Sequence, residues 1–320
     1  MRNEGPFIVE WVSWYRMLGF DHILVATNDC TDHSPQLLGT FRDAGWLDHL
    51  PHTPRDGIPP KMSAHRGMRR HPLVAQTEWL FICDVDEFLV LHQGDGTIGS
   101  FMDLPRQRFL GMAFQWKCFG TSDIPTWADG LVHRTFMLSA PEKASANAPF
   151  KSIFRRPLSF RKFAEHAPRD FDGEFGTGEY VWVNSAGERM YHFNRVNPRQ
   201  MQTAAQAVTH RAAQLNHYVM RSEESFELKR GTRSASAFRD RYTDKFVDRF
   251  NRNDQVDTSA LRYHEAFDRI HAQAMVLPGV RRLHHLCCAD YVVRLAGKSG
   301  QRAADDPRYG YHMDLAASAG

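Results

Sequence analysis

Trp79-Leu80-Phe81-Ile82-Cys83-Asp84-Val85-Asp86-Glu87-Phe88-Leu89-Val90-Leu91 is the stretch whose reading decides the fold. It begins and ends in apolar runs, and Asp84, Asp86 and Glu87 fall between them. The first run reads as a buried strand of a parallel sheet. Carboxylates at the end of such a strand are costly unless something neutralises them. The carboxyl ends of parallel strands are also where open α/β sheets bind ligands. Alternation along the strand puts Asp84 and Asp86 on one face, about 6.5–7 Å apart by Cα. From there both reach one hard divalent cation, directly or through its water. The plainer alternative, a solvated acidic turn, fits less well with apolar residues on both sides.

The chain has 320 residues, 42% of them apolar, enough for one large domain or two small ones. A formal charge of +3 argues against nucleic acid as the main partner. No run of about 18 apolar residues is present, so no membrane-spanning helix is expected, and the opening lacks a signal-peptide pattern. The five cysteines form no Cys-x-x-Cys pair, so neither a disulfide framework nor a zinc site is expected, and a reducing cytosol fits best.

Before the acidic stretch, residues 1–20 read as a helix with Asn3 as cap, Pro6 in its first turn and Phe7, Trp11, Tyr15 and Leu18 facing a core. Residues 21–27 read as a strand, with a helix from about Pro35 to Ala44 that Asp32 can cap, a strand–loop–helix unit of the doubly wound kind. A short strand is expected over 46–50. Lys61, His65, Arg66, Arg69, Arg70 and His71 give a basic helix, which is either a solvated face or a phosphate-binding one.

After it, a short helix is expected over 97–103 and strands over 109–120, 130–138 and 150–157, the last with Lys151 and Arg155 on one face. A hairpin turn is expected at 184–187. A helix-prone segment starts at Pro198 and includes Met201, Ala205 and Val208. Leu215, His217 and Val219 alternate as in a strand, and Ser222 can cap the helix that follows. From 235 to 296 the pattern is helical, with Phe238, Tyr242, Phe246 and Phe250 four residues apart. Residues 297–320 are expected to be disordered.

Trp79 to Leu91 resembles the Asp-x-Asp signature of GT-A glycosyltransferases. The similarity is to a bacterial branch of the family 2 type, related to glycosyltransferase family 92 (the former DUF23 group). Arg2-Asn3-Glu4, Trp116 with Phe119-Gly120, Lys151-Ser152-Ile153, His166-Ala167-Pro168 and Asn216-His217-Tyr218 match the family's segments in the same order. The resemblance implies an α/β, Rossmann-like, doubly wound mixed sheet over 1–260, a helical extension over 261–296 and a tail over 297–320. In that family a strand runs into the Arg-Asn-Glu motif; here it is missing, and a start assigned too late is the favoured explanation.

The resemblance also implies roles. Asp84, Asp86 and His217 would hold Mn²⁺ or Mg²⁺. Asn3, Glu4, Asn28, Asp29, Lys61, His65, Asp84 and Lys229 would contact the nucleotide-sugar donor, a UDP- or GDP-sugar. Glu165 and His166 would supply the general base of an inverting transfer to a glycan or other hydroxyl acceptor. Surface polysaccharide or glycan assembly in a bacterium is the expected setting, in the cytoplasm with peripheral contact at the inner membrane face. A nucleotidyltransferase and a non-catalytic nucleotide- or glycan-binding module are the alternatives.

Overall fold

The computed structural model describes residues 1–105, 107–191, 202–236 and 239–319. Its strands are β1 (Leu24–Thr27), β2 (Asp48–Pro51), β3 (Trp79–Phe81), β4 (Glu87–Leu91), β5 (Gly111–Cys118), β6 (Leu138–Ser139), β7 (Phe150–Arg155), β8 (Phe160–Lys162), β9 (Arg169–Phe171), β10 (Trp182–Asn184), β11 (Ala213–His217) and β12 (Gln255–Val256). Its α-helices are α1 (Gly5–Met17), α2 (Ser34–Asp43), α3 (Pro60–Arg69), α4 (Pro72–Gln76), α5 (Ile98–Met102), α6 (Val132–Thr135), α7 (Glu223–Glu227), α8 (Asp244–Phe250), α9 (His264–Met275), α10 (Val280–Ser299) and α11 (Pro307–Ser318).

The main sheet is mixed and runs β3-β7-β5-β11-β4, with β10 also beside β5. β10 pairs with Gly111–Ala113 and β11 with Trp116–Cys118, so two parallel strands succeed each other along β5. β7 lies antiparallel against β5, β3 against β7 and β4 against β11. β1 and β2 form a separate parallel pair. The α/β class and the mixed sheet are as expected.

The deciding stretch differs from its reading. It is two strands at opposite ends of the sheet path, and both pair antiparallel. β3 is only half-buried, whereas β4 is buried throughout. The chain breaks between them because Asp84 and Glu87 close a turn: the Glu87 N–H donates to the Asp84 carbonyl (3.1 Å), and the Asp84 N–H donates to Glu87 Oε2 (2.8 Å). Asp84 and Asp86 therefore sit on a turn, not on one face of a strand.

α1 is the central post, and every residue from Gly5 to Tyr15 is buried. Trp14 packs against Phe88, Tyr263 and Phe267, which joins β4 to the C-terminal helices in one core. Asn3 does not cap this helix. Its backbone takes a positive φ of 55°, and its side chain exchanges hydrogen bonds with Thr31. Asp32 accepts from the Ser34 N–H and hydroxyl at the start of α2.

Other segments depart from expectation for local reasons. Residues 130–138 hold α6 and only the first residue of β6. The buried Glu10 carboxylate accepts from the Val132 and His133 N–H groups (2.8 and 3.0 Å), which starts a helical turn there. Residues 297–320 are not disordered over their described part. α11 opens on Asp306, which accepts from the Arg308 N–H, while Arg308 forks onto Glu224 (2.8 and 2.9 Å). His312 is buried beside Trp127. Pro198, Met201 and Phe238 lie outside the described residues; Ala205–Ala207 form a single 3-10 turn, and Phe246 packs edge-on against Tyr242 and tilted against Phe250. No helix among the described residues is long and apolar enough to cross a membrane.

Ahead of Asn3, Met1 pairs with β1 as a parallel strand would: its amino group donates to the Ala26 carbonyl, and its carbonyl accepts from the Asn28 N–H. A cavity of about 850 Å³ lies alongside, lined by β1 at Leu24, by Leu80 and Phe81 of β3, and by Trp11 and Tyr15 of α1. Its lining ends at Cys83, one residue short of the acidic turn.

Glu10→Ala leaves two backbone donors and the His133 ring unpaired in the core. It should lower unfolding free energy by about 2–4 kcal/mol. Urea denaturation of the variant and wild type measures this, and Glu10→Gln should lose less.

Candidate functional site

The acidic turn between β3 and β4 is pinned by its backbone, which leaves the carboxylates to be aimed. The Trp11 indole donates to the Asp84 carbonyl (3.0 Å), the Tyr15 hydroxyl to the Glu87 carbonyl (3.0 Å) and the Tyr218 N–H to the Asp86 carbonyl (2.8 Å). α1 and the end of β11 thus hold the turn from two sides. Asp84 and Asp86 then face different partners.

Asp84 meets lysines. Its Oδ2 accepts from Lys61 of α3 (2.6 Å) and Lys151 of β7 (2.9 Å). Lys61 also reaches Glu165 Oε1 (2.6 Å), and Lys151 lies 3.3 Å from Glu87 Oε2. The Lys151 side chain is fully buried, whereas that of Asp84 is a third exposed. Burial alone would raise the Asp84 pKa, but Lys151 and Lys61 overcome it and hold Asp84 well below the usual carboxylate range. Glu165 is likewise brought down to about 2 against its burial, chiefly by Lys61. Glu87 goes the other way: burial, with Asp84 and Asp86 nearby, pushes it up to about 8 despite Lys151. Both Glu87 oxygens meet donors, Oε1 the Trp116 indole and Oε2 the Asp84 N–H and Lys151, so Lys61 and Lys151 answer a cluster of three acids, as buried charges need.

Asp86 faces the other side. Lys229 lies 3.4 Å from its Oδ2, and His217 Nε2 lies 4.0 Å from its Oδ1. Burial pushes His217 down to about 3, so its ring is neutral with a lone pair to offer. The ring stacks on Trp116 (4.0 Å between centroids), and Trp116 donates to Glu87 Oε1 (2.9 Å). Among the described residues, the buried His217 Nδ1 has no hydrogen-bond partner. Arg221, buried over the face of Phe7, donates to Glu4 Oε2 (2.8 Å) and so ties the Arg-Asn-Glu segment to this side.

Lys61, Asp84 and Glu165 come together on one side of the acidic turn, and Asp86, His217 and Lys229 on the other. His65 and His166 are part of the same field: burial, with Lys61 and Lys151 nearby, pushes each down to about 4. Asn3, Asn28 and Asp29 stand at the end of β1, where Asn28 donates to Asp29 (2.9 Å) and Asn3 bonds to Thr31. Among the described residues, none of the three hydrogen-bonds to the acidic turn. The metal set is not gathered as one cluster. Among the described residues, the groups of three potential ligands within 4.8 Å of one another centre on Asp129 instead. Asp86 and His217 are both unprotonated and lie 4.0 Å apart, just inside the limit of about 4.2 Å that two ligand bonds of about 2.1 Å can span. Asp84 is taken up by its two lysines.

Lys151 had no role assigned from sequence. Its signal was a lysine flanked by Phe150 and Ser152 in a short strand, and the β3–β7 register, with Phe81 opposite Ile153, carries it toward Asp84. Arg221 and Arg241 had no role assigned either; Arg241 lies in the field of Glu165 and Asp86. No protein-family model matches the chain, and no curated protein matches its sequence.

Removing Lys151 strands the Glu87–Asp84 side of the cluster, so Lys151→Met should cost about 3–5 kcal/mol in denaturant unfolding. The pH profile follows from the histidines. His65, His166 and His217 stay neutral when folded and gain a proton only on unfolding below the ordinary value of 6.5. Stability should therefore fall as pH drops from about 6.5 toward about 4, and Asp86 and Glu165 extend the loss toward about 2. His217→Gln should flatten the slope between about pH 6 and about pH 4; an unchanged slope contradicts the buried neutral ring.

Proposed function

We propose that this chain is a GT-A-type glycosyltransferase that moves a sugar from a nucleotide diphosphate donor to a hydroxyl acceptor. One observation carries the reading. An acidic turn at the sheet end meets lysines from three distant segments, with a neutral buried histidine beside its second aspartate. Diphosphate recognition needs that combination of cationic side chains and metal-ready ligands.

Asp86 and His217 would hold Mn²⁺ or Mg²⁺. The ion supplies positive charge to the diphosphate oxygens as the nucleotide departs. Lys229 stands over Asp86 and serves the same charge from the protein side. Lys61 bridges Asp84 and Glu165, so it moves to a phosphate only as it leaves one of them. Of the two base candidates, His166 is the better. Its Nδ1–H donates to the Phe150 carbonyl (2.8 Å), which leaves Nε2 to accept a proton, and at about 4 it is more basic than Glu165 at about 2. Glu165 then positions Lys61. Donor base, sugar and acceptor follow from contacts beyond this cluster.

A non-catalytic nucleotide- or glycan-binding module is the second reading, favoured by the closure of both lysines on Asp84. Thermal unfolding with Mn²⁺ and a panel of UDP, GDP, CDP and ADP separates these outcomes. At about 100 times its dissociation constant, the right diphosphate adds about 2.7 kcal/mol, enough for a shift of a few degrees. The shift should need Mn²⁺ and vanish in Asp86→Ala; a shift that persists in the variant sinks the metal assignment. His166→Gln should keep donor binding and slow transfer by about 10²–10⁴-fold. Full turnover in that variant removes His166 as the base, and binding with no turnover in wild type selects the module.

A further inference from the structure

A second group of ligand-type side chains lies away from the acidic turn, where the C-terminal helices meet the loop before α6. Asp129 comes from that loop, His284, His285 and Cys288 from α10, and His312 from α11. A carboxylate oxygen of Asp129 and one ring nitrogen each from His285 and His312 lie within 4.8 Å of one another. The two histidine Nδ1 atoms are 3.3 Å apart. Four ligands at about 2.05 Å in a tetrahedron have edges of about 3.3–3.4 Å. The histidine pair therefore already has the spacing of two ligands on one zinc ion.

The surroundings support the same conclusion. His284 Nε2 sits 3.2 Å from Asp129 Oδ2, so the carboxylate is oriented from behind by a third imidazole, as the outer partners of metal ligands do. The three ligands come from three separate segments. α10 and α11 already pack directly on each other, and Trp127 packs on Tyr291 and His312; an ion there would add a tie from both helices to the loop. The spacing of His284 and Cys288 sets up a competing triad: Cys288 Sγ is 3.7 Å from His284 Nε2, and both share Asp129. Asp129, His285 and His312 offer their ligand atoms from three segments, whereas the competing triad must also release the proton of the buried Cys288 thiol.

We propose that Asp129, His285 and His312 bind one Zn²⁺ ion, a structural site separate from the acidic turn that clamps α11 onto α10.

The test is zinc titration by calorimetry on the full chain, in an Asp86→Asn background so that the acidic turn does not contribute. One ion per chain should bind, and saturating zinc should raise the unfolding temperature by a few degrees. His285→Asn and His312→Asn should each weaken binding on the order of 100-fold or more. Circular dichroism without zinc confirms that each variant is folded. Co²⁺ as a spectroscopic substitute should give a tetrahedral visible band without a thiolate charge-transfer band. A thiolate band lost in Cys288→Ala places the ion on His284 and Cys288 and overturns the assignment. So does zinc binding that is absent in the parent chain or unchanged in both histidine variants.

Discussion

The buried ammonium of Lys151 is the interaction on which the site depends. It has no exposed side-chain surface and touches Asp84 and Glu87 together. Two carboxylates three residues apart cannot both be drawn into a sheet end without a cation between them. Lys151 supplies that cation from β7, the strand beside β3, so the sheet itself carries the counter-charge. Lys61 then enters from α3 and balances Asp84 against Glu165. The turn can be sharp, acidic and apolar-flanked at once because the charge sum closes around it.

α1 is the second constraint. It is buried along most of its length, and its indole and phenol groups fix the backbone of the acidic turn and of β4. Its Glu10 reaches across to start α6, and its aromatic face receives α9 and α10. One helix thereby connects the acidic turn, the sheet and the C-terminal helices. The C-terminal helices are built onto the same core, and Arg308 locks α11 to Glu224 at the start of α7.

Much of this was legible from residue pattern. The amphipathic aromatic spacing of Phe7, Trp11 and Tyr15 marks α1, and Ser222 caps α7 with its hydroxyl on the Ser225 N–H as its position suggests. The acidic triad with basic residues before and after it announced a charged site. Register errors came where local preference lost to a distant partner. The 130–138 segment has strand composition, yet Glu10 on another helix starts a helical turn there. The final segment is rich in alanine, glycine and charge, yet Arg308 finds Glu224 and Asp306, and Trp127 receives His312.

What the sequence by itself determined is the inventory and the order: an acidic cluster between two apolar runs, a lysine-bearing helix ahead of it, and a histidine on a later strand. Those follow from periodicity and local charge, which need no knowledge of the partner. Only the tertiary structure decided who neutralises whom. Asp84 turns to Lys61 and Lys151 while Asp86 turns to Lys229 and His217, because the tight Asp84–Glu87 turn breaks the alternation of a strand. Pairings across 67 and 143 residues are set by sheet order and by α1 beneath it. Coulomb energies depend on distance in space, and no spacing along the chain contains that distance.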